Sequence, residues 1–314
     1  MKNRRILTIA LLTAAVIVLA ILPVFLKDNV ITVLIYVLLY ICLASSWNIL
    51  GGFTGQTNLG HAAFFGVGSL VTRYLWVGGL PFVPSFFIGG MTAVTLALII
   101  GYPAFKLRGV YFAIGTLALA QILSVTVGNM LPEMSYNPDI SDYLLAPRYY
   151  LFLALALLTA GVAYWISKSR LGLGMMAVRE GEEAAESLGV SALKHKLIAL
   201  LISAFLGGLA GGAFAYFHVS YYYYLPFGPT WTFDSMMMAY IGGTNSIIGP
   251  IIGPIFFIIL KQLLVWNVGD FHLIIFGTLF IIVVLFLPGG LVEAWKKLLM
   301  LFKNLVRRKK AEAS

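Results

Sequence analysis

The feature that most constrains this chain is a succession of apolar runs, each about as long as a membrane is thick. A helix needs about 20 apolar residues to cross roughly 30 Å of hydrocarbon, and such runs follow one another along nearly the whole sequence. Hydrophobic residues make up 61% of the 314 residues and charged residues 11%, against about 25% charged residues in a soluble domain. The sequence therefore predicts an integral membrane protein with no sizeable soluble domain.

The boundaries of the runs predict an all-α, polytopic fold of about ten spanning helices. Residues 6–26 follow a basic start, as in a signal peptide, but the run is about twenty residues long and has no convincing cleavage motif, so we interpret it as a spanning helix. Segments 233–246 and 247–266 could instead be one interrupted helix, which would reverse the predicted membrane orientation of all residues after them. The predicted spans are residues 6–26, 30–50, 61–78, 85–104, 109–131, 149–167, 197–218, 233–246, 247–266 and 271–288.

The distribution of lysine and arginine predicts the orientation. Basic residues favour cytoplasmic segments, and with both termini inside, all 21 of them fall there except Lys27, Arg73, Arg148 and Lys261. Arg73 and Lys261 lie within spans, from which long side chains can reach the outer interface. The net charge of +9 thus reflects juxtamembrane placement and does not indicate nucleic-acid binding.

Several functional classes are disfavoured. The sequence has no HExxH, GxSxG or Walker A motif, so neither an intramembrane enzyme nor an ATPase is predicted. Cys42 is the only cysteine, which excludes a disulfide or a cysteine-based metal cluster. Asp234, near an outer helix end, is the one carboxylate within the spans, and this shortage argues against a proton-coupled carrier.

The first segment that breaks the apolar pattern is Gly51–Gly68, which combines six glycines with Gln56, Asn58 and His61. Irregular backbone is tolerated at membrane depth only where it is buried in protein or lines a cavity. The segment is therefore a candidate wall of a translocation path, or else a cytoplasmic turn with glycine-assisted packing. For His61 alone, a hydrogen-bonded packing role is favoured over ligand or proton binding.

The second segment is the hydrophilic stretch 168–196, the only long polar connection on the predicted inner side. Residues 177–188 predict a short acidic helix that Gly189 ends and in which Arg179 and Glu183 are paired at i,i+4 spacing. Such a helix is either merely solvated or presents its acids to a partner.

Two further segments are rich in small residues. Residues 241–254, IGGTNSIIGPIIGP, predict a re-entrant or broken element or a plain interhelical turn, with Asn245 at its centre. In the seventh span small residues recur every four positions, a spacing that allows close helix packing in lipid. These packing residues are Ser203, Gly207, Gly211 and Ala215.

Four motifs occur in an order that resembles a known family. GQTNLGHAAFFGVGS, LRGVYFAIGTLALAQI, SRLGLGMMAVREGEEAAESLGV and IGGTNSIIGPIIG together resemble the inner-membrane permeases of high-affinity branched-chain amino acid ABC importers, the M-type subunit of the Liv system. The resemblance covers residues 47–290, most of the chain.

The resemblance implies a single permease domain, residues 1–314, in the inner membrane of a prokaryote. Its implied partners are an H-type permease, two ATPase subunits that use ATP and magnesium, and an extracytoplasmic binding protein, while this chain binds no cofactor and works by alternating access. The stretch 168–196 becomes the coupling loop that docks on an ATPase. The implied coupling residues are Arg179, Glu180, Glu182, Glu183, Ala184, Ala185 and Gly189.

Three departures from the family leave the substrate open. Asn58 stands where serine is usual, Asn245 where glycine is frequent, and a glycine-rich stretch is missing from residues 129–142. Branched-chain amino acids are favoured over urea, short amides or sugars. The polar groups predicted near the path are Gln56, Asn58, His61, Gln121 and Asn245.

The remaining predictions concern the C-terminal tail and the alternative functional classes. Residues 291–314 predict a basic amphipathic tail along the inner leaflet. The alternative functional class is a self-sufficient secondary carrier, which would transport down an ion gradient without any other subunit. A non-transporting scaffold would move no substrate in any assembly.

Overall fold

Helices make up most of the computed structural model. The structure describes residues 2–107, 109–139, 141, 143–244, 246–268, 274–275, 277–278, 281, 285, 289–295, 297 and 300. The helices within these ranges are α1 Lys2–Phe25, α2 Asp28–Thr54, α3 His61–Val77, α4 Phe82–Ala104, α5 Val110–Met130, α6 Leu145–Lys168, α7 Arg170–Glu180, α8 Glu182–Ser187, α9 Ala192–Phe217, α10 Pro229–Gly242 and α11 Gly249–Val268.

The helices fall close to the predicted spans, and the all-α fold class is confirmed. Among the described residues, α2, α4, α5, α6 and α9 are long and apolar enough to cross a membrane. The prediction omitted one element, a two-stranded antiparallel sheet of β1 Met134–Tyr136 and β2 Ser220–Tyr222. Each strand has only three residues, too few for an alternating pattern to stand out among apolar runs.

The centre of the bundle is formed by α2 and α9, which are buried along most of their length. Glycines let neighbouring helices approach α9 at backbone distance. A Cβ on Gly68 of α3 would lie 2.1 Å from the carbonyl oxygen of Gly208, and a Cβ on Gly208 would lie 2.6 Å from Ala93 of α4. Helices α3, α4 and α9 therefore pack as one unit whose spacing no larger residue would allow.

The segment 233–266 contains two helices rather than one interrupted helix. Helices α10 and α11 pack antiparallel, because Gly242 meets Gly249 and Gly253 meets the carbonyl oxygen of Met238. The close turn between them keeps the alternation of spans that the ten-helix interpretation requires.

The bundle has two distinct ends. At one, which we call the β end, the β1–β2 sheet lies beside the last turns of α3 and α9, since Arg73 and Ser135 are hydrogen-bonded. At the other, the coupling end, α7 and α8 lie beside the end of α2 and the start of α9, where Gly174 contacts the ring of His195. In the predicted orientation the β end faces outward.

The acidic helix predicted over residues 177–188 is wrong in its bounds. The structure has α7 up to Glu180 and a separate α8 over Glu182–Ser187, with Gly181 in extended backbone between them. The i,i+4 spacing across Gly181 is therefore lost, and Arg179 pairs with Glu180, 2.7 Å away, instead of Glu183. Gly189 does end the segment with a left-handed φ of 81°.

Three predictions lie wholly or largely outside the described residues. They are the span 271–288, the position of Asn245, and the tail 291–314, of which residues 291–295 are helical.

Candidate functional site

The chain between α2 and α3 folds back alongside α2 instead of turning at its end. Residues 55–60 form this irregular segment, which we call the entry coil. His61, the first residue of α3, contacts Ser46, and eight residues at 1.5 Å per residue place Ser46 about 12 Å from the end of α2. Helix α3 therefore begins inside the bundle rather than at its edge.

The entry coil is held by side chains from α2 and α5. The indole nitrogen of Trp47 donates to the carbonyl oxygen of Asn58 at 2.8 Å. The backbone N–H of Leu59 donates to the hydroxyl of Thr116 at 3.1 Å. A Cβ on Gly60 would lie 2.2 Å from the carbonyl oxygen of Thr116, so this position requires glycine.

The first turn of α3 is completed by side chains, as a helix start within a membrane requires. The Oδ1 of Asn58 accepts from the N–H of Gly60 at 2.8 Å, and the hydroxyl of Thr232 on α10 accepts from the N–H of Ala62 at 2.8 Å. The Nε2 of His61 and the hydroxyl of Ser46 are 2.9 Å apart. Three separate helices, α2, α5 and α10, thus meet at one helix end.

Helix α10 also begins inside the bundle. After β2 the chain runs inward through the 3-10 turn Leu225–Phe227, and Phe227 is buried against Gly66 of α3. The helix then starts at Pro229 and places Thr232 beside Ala62. One irregular segment thus enters from each end of the bundle, and the two meet at the start of α3.

The structure brings together only part of the predicted path. Asn58 and His61 are both buried at the start of α3, while Gln56 is half-buried in the entry coil. Gln121 lies on the exposed face of α5, away from the buried face on which Thr116 touches the entry coil. Asn245 falls outside the described residues.

The sequence analysis missed Thr116 and Thr232. Both threonines lie in apolar helices, where a hydroxyl usually bonds to its own backbone, as Thr54 does. Thr116 does so too, donating to Ala113 at 2.9 Å while accepting from Leu59. No pattern in the sequence distinguishes it from the other threonines.

Arg179 joins the coupling end to the entry coil. Its Nη1 donates to the carbonyl oxygen of Gly52, in the last turn of α2, at 3.1 Å. Gly55, the first residue of the entry coil, lies against the Arg179 side chain with a left-handed φ of 73°, and a Cβ there would be 2.9 Å from the arginine Cγ. The same guanidinium also forms the ion pair with Glu180 described above.

Helix α8 is anchored at one point and exposed elsewhere. Glu182 accepts from the ammonium of buried Lys196 on α9, and Ala185 is buried against α9's first residues. Glu183, Ala184 and Glu186 are exposed, and Leu188 keeps 83% of its surface accessible. The exposed part of α8 thus combines acidic groups with a protruding apolar side chain.

The small-residue stripe of α9 faces α3 along much of its length. Gly207 lies against the ring of His61, and a Cβ on Gly211 would lie 2.0 Å from the carbonyl oxygen of Phe65. Ser203 and Ala215 are fully buried at either end of the stripe.

Arg73 does not reach the outer interface, contrary to the prediction. It is fully buried, and its guanidinium donates to Ser135 and to carbonyl oxygens at the end of α9, including that of Ala215 at 2.6 Å. Tyr221 lies 5.1 Å from the guanidinium carbon, and burial raises the pKa of its hydroxyl, so the ring stays neutral. The end of α9, with its exposed carbonyls, supplies the negative pole that the cation requires.

Arg148 caps the same helix end from α6. It donates to the carbonyl oxygens of Tyr216 and Leu144, and the rings of Tyr143 and Tyr216 lie 3.9 and 4.4 Å from its guanidinium carbon. Among the described residues, neither Arg148 nor Arg73 has a carboxylate within salt-bridge distance. Two buried cations are thus balanced by carbonyl dipoles and aromatic rings.

Asp234 lies deeper than predicted. Its carboxylate accepts from the hydroxyl of Tyr40, which is midway along α2, at 2.9 Å. The sequence placed Asp234 near an outer helix end because the inward run before α10 is indistinguishable from the first turn of a span.

Comparisons with known proteins agree with this architecture. A family model described as the permease component of branched-chain amino acid transport systems matches residues 29–284. The high-affinity branched-chain amino acid transport system permease protein LivM of Escherichia coli is 25% identical, covering 90% of this chain and 74% of that protein. LivM of Salmonella typhimurium is 24% identical over 81% of this chain and 68% of its own length.

An archaeal relative extends the similarity. The probable branched-chain amino acid transport permease protein LivM of Methanocaldococcus jannaschii is 23% identical, covering 84% of this chain and 93% of that protein. No solved structure matches the chain.

Proposed function

Because the chain belongs to the family of permease components of branched-chain amino acid transport systems, we propose that it imports branched-chain amino acids as one subunit of an ATP-driven transporter. It is a multi-pass membrane permease. The partners in this proposal are a second, homologous permease, two ATPases that use ATP and magnesium, and an extracytoplasmic binding protein. The two permeases lie in the inner membrane of a prokaryote.

The observation that carries the proposal is the continuous contact from α8 to the start of α3. An ATPase that pulls on α8 also acts on Arg179 through the short connection at Gly181. Arg179 in turn touches Gly52 and Gly55, which bracket the junction between α2 and the entry coil. Closure of the ATPases therefore has a direct mechanical route to the interior of the bundle.

The exposed part of α8 suits a protein partner. Glu183 and Glu186 offer negative charge, and Leu188 offers an apolar anchor that a solvated helix would not need. We assign Glu180, Glu183, Ala184 and Glu186 to the docking surface, with Glu182 and Ala185 holding α8 on α9. Arg179 then acts inside the permease rather than on the ATPase.

The test is uptake of L-leucine by proteoliposomes that contain the complete assembly. We expect uptake to require ATP and the binding protein, and Glu183→Lys to abolish it because the reversed charge opposes docking. The matched control is Glu133→Lys, which changes the same charge at the β end and should leave ATPase binding unchanged. Normal uptake by Glu183→Lys, with normal ATPase pull-down, would contradict the docking assignment.

Asp234 favours a second candidate, a secondary carrier, because a half-buried carboxylate that accepts a hydrogen bond from Tyr40 within the bundle is the kind of group that couples transport to protons. Proteoliposomes that contain this chain alone distinguish the two functions. A carrier would accumulate leucine under an imposed proton gradient and would lose that activity in Asp234→Asn. The proposed importer subunit should be inert in both forms.

A further inference from the structure

We propose that the start of α3 is the site in the membrane that binds the α-amino and α-carboxyl groups of the transported amino acid, and that Thr116 and Thr232 occupy it in the conformation seen here. The inference rests on the proposed function, which supplies the substrate class. It adds the atoms that recognise the substrate and the groups that displace it.

The backbone donors of this site already bind oxygen atoms. The N–H of Leu59 is taken by the hydroxyl of Thr116 on α5 and the N–H of Ala62 by the hydroxyl of Thr232 on α10. A carboxylate carries two such acceptor oxygens, and a helix N-terminus favours negative charge. The two threonines therefore place neutral acceptors where a carboxylate would bind more strongly.

Asn58 supplies a side-chain donor that has no partner among the described residues. Only 1% of its surface is exposed, and within the described part of the chain its Nδ2 makes no hydrogen bond, although its Oδ1 is fixed on the N–H of Gly60. That bond holds the carboxamide at the first turn of α3. A buried amide donor without an acceptor is unfavourable, because it has lost its hydrogen bonds to water, so a structural role alone does not explain it.

His61 supplies the complementary acceptor. The hydroxyl of Ser46 donates to the carbonyl oxygen of Leu43 at 3.0 Å, so it accepts from the Nε2–H of His61 at 2.9 Å. The other ring nitrogen, Nδ1, is then an acceptor, and it is buried and has no hydrogen-bond partner in the part of the chain that the structure describes. An unpaired donor and an unpaired acceptor three residues apart match the carboxylate and the ammonium of one zwitterion.

The two threonines also explain how the site can be emptied. The hydroxyl of Thr116 makes one neutral hydrogen bond to the entry coil and that of Thr232 one to α3, and such neutral bonds contribute little net free energy. When α5 and α10 move away from α3, the backbone donors become available to the substrate, and when they return the hydroxyls displace it. The same contacts that close the site therefore release its ligand.

The test compares Asn58→Asp with Thr57→Asp in the complete assembly. Aspartate at position 58 keeps an oxygen for the N–H of Gly60 and suits a helix start, but its charge repels the substrate carboxylate. We expect leucine uptake to fall at least tenfold, with normal ATPase binding and normal basal ATP hydrolysis. Thr57 is exposed in the same coil, so Thr57→Asp should transport within about twofold of wild type.

Equal uptake by wild type and Asn58→Asp would overturn the proposal, as would an equal loss in both variants, which would mean that any charge in the coil is harmful. A wild-type assembly that imports no leucine would instead refute the proposed function. Ligand competition on the wild-type assembly without binding protein decides the matter if Asn58→Asp fails to assemble. 4-Methylpentanoate, which is leucine without its ammonium, and isopentylamine, which is leucine without its carboxylate, should each displace L-leucine at least tenfold more weakly than leucine does. Equal displacement by 4-methylpentanoate would overturn the ammonium assignment, and equal displacement by isopentylamine would overturn the carboxylate assignment.

Discussion

The start of α3 and the end of α9 are both completed by side chains from distant parts of the chain, but with different chemistry. At the start of α3, neutral hydroxyl and amide groups each make one hydrogen bond. At the end of α9, the guanidinium of Arg73 alone donates to five oxygen atoms of three segments. One helix end is held by charge and the other by single neutral bonds.

The difference shows which contacts can be exchanged during transport. Hydrogen bonds to a charged group contribute about 1.5–3 kcal/mol each and neutral ones about 1 kcal/mol. Helix α9, together with α3 and α4 packed on it through glycine, therefore acts as the fixed frame at the β end. The contacts of α5 with the entry coil and of α10 with the first turn of α3 are the ones that a modest force can break.

The largest expected effect follows from removing the charge at the end of α9. In Arg73→Gln the carbonyl oxygens of Ala215, His218 and Val219 lose their donor, so we expect the free energy of unfolding to fall by more than about 3 kcal/mol. Thermal unfolding in detergent, monitored by size-exclusion chromatography, measures this loss of stability. Lys106→Gln removes an exposed cation outside this cluster and serves as the control. If Arg73→Gln were as stable as Lys106→Gln, the end of α9 would not be held more firmly than the start of α3.

An intermediate effect is expected at the start of α3. Thr232→Val keeps the shape of the side chain but leaves the N–H of Ala62 without an acceptor, and we expect about 1–2 kcal/mol less stability. Thr232→Ser restores the acceptor and should recover most of the loss. If Thr232→Ser did not recover the stability, Thr232 would act through its methyl group rather than its hydroxyl.

The smallest effect on stability and a large effect on coupling are expected at Arg179. Its side chain is 26% exposed and its ion-pair partner Glu180 is 73% exposed, so Arg179→Ala should change stability by no more than about 0.5–1 kcal/mol. We expect ATP hydrolysis to continue while leucine uptake per ATP falls several-fold. Arg170→Ala removes an exposed arginine from the first turn of the same helix, α7, and should retain coupling. Unchanged uptake per ATP in Arg179→Ala would contradict the proposed mechanical route from α8 to the entry coil.

Much of the fold could be predicted because the apolar runs are local signals. The glycine and amide content of residues 51–68 also marked the entry coil, and Asn58 and His61 were selected from it. What could not be predicted depends on partners far along the chain. Thr232 meets a residue 170 positions away, so nothing near it in sequence marks it as different.

Two of the errors at charged residues have the same origin. A lone arginine in a span is expected to extend toward water, and only the folded bundle shows that the end of α9 provides carbonyl partners for Arg73. The acidic pattern of residues 177–188 predicted one continuous helix. In the structure Gly181 interrupts this helix, where the chain turns to place Glu182 against Lys196. In both cases a long-range contact overrides a local preference.

The separation along the sequence between Arg73 and its partners in α9 has a consequence for how the protein assembles in the membrane. Ala215 is synthesised 142 residues after Arg73, which takes roughly 7–28 s at about 5–20 residues per second. During that interval the guanidinium lacks the carbonyls of α9, and only Ser135, 62 residues after it, and the aqueous interface can supply hydrogen-bond acceptors. We therefore expect α3 to reach its final depth only after α9 has been inserted, in an order of assembly that differs from the order of synthesis.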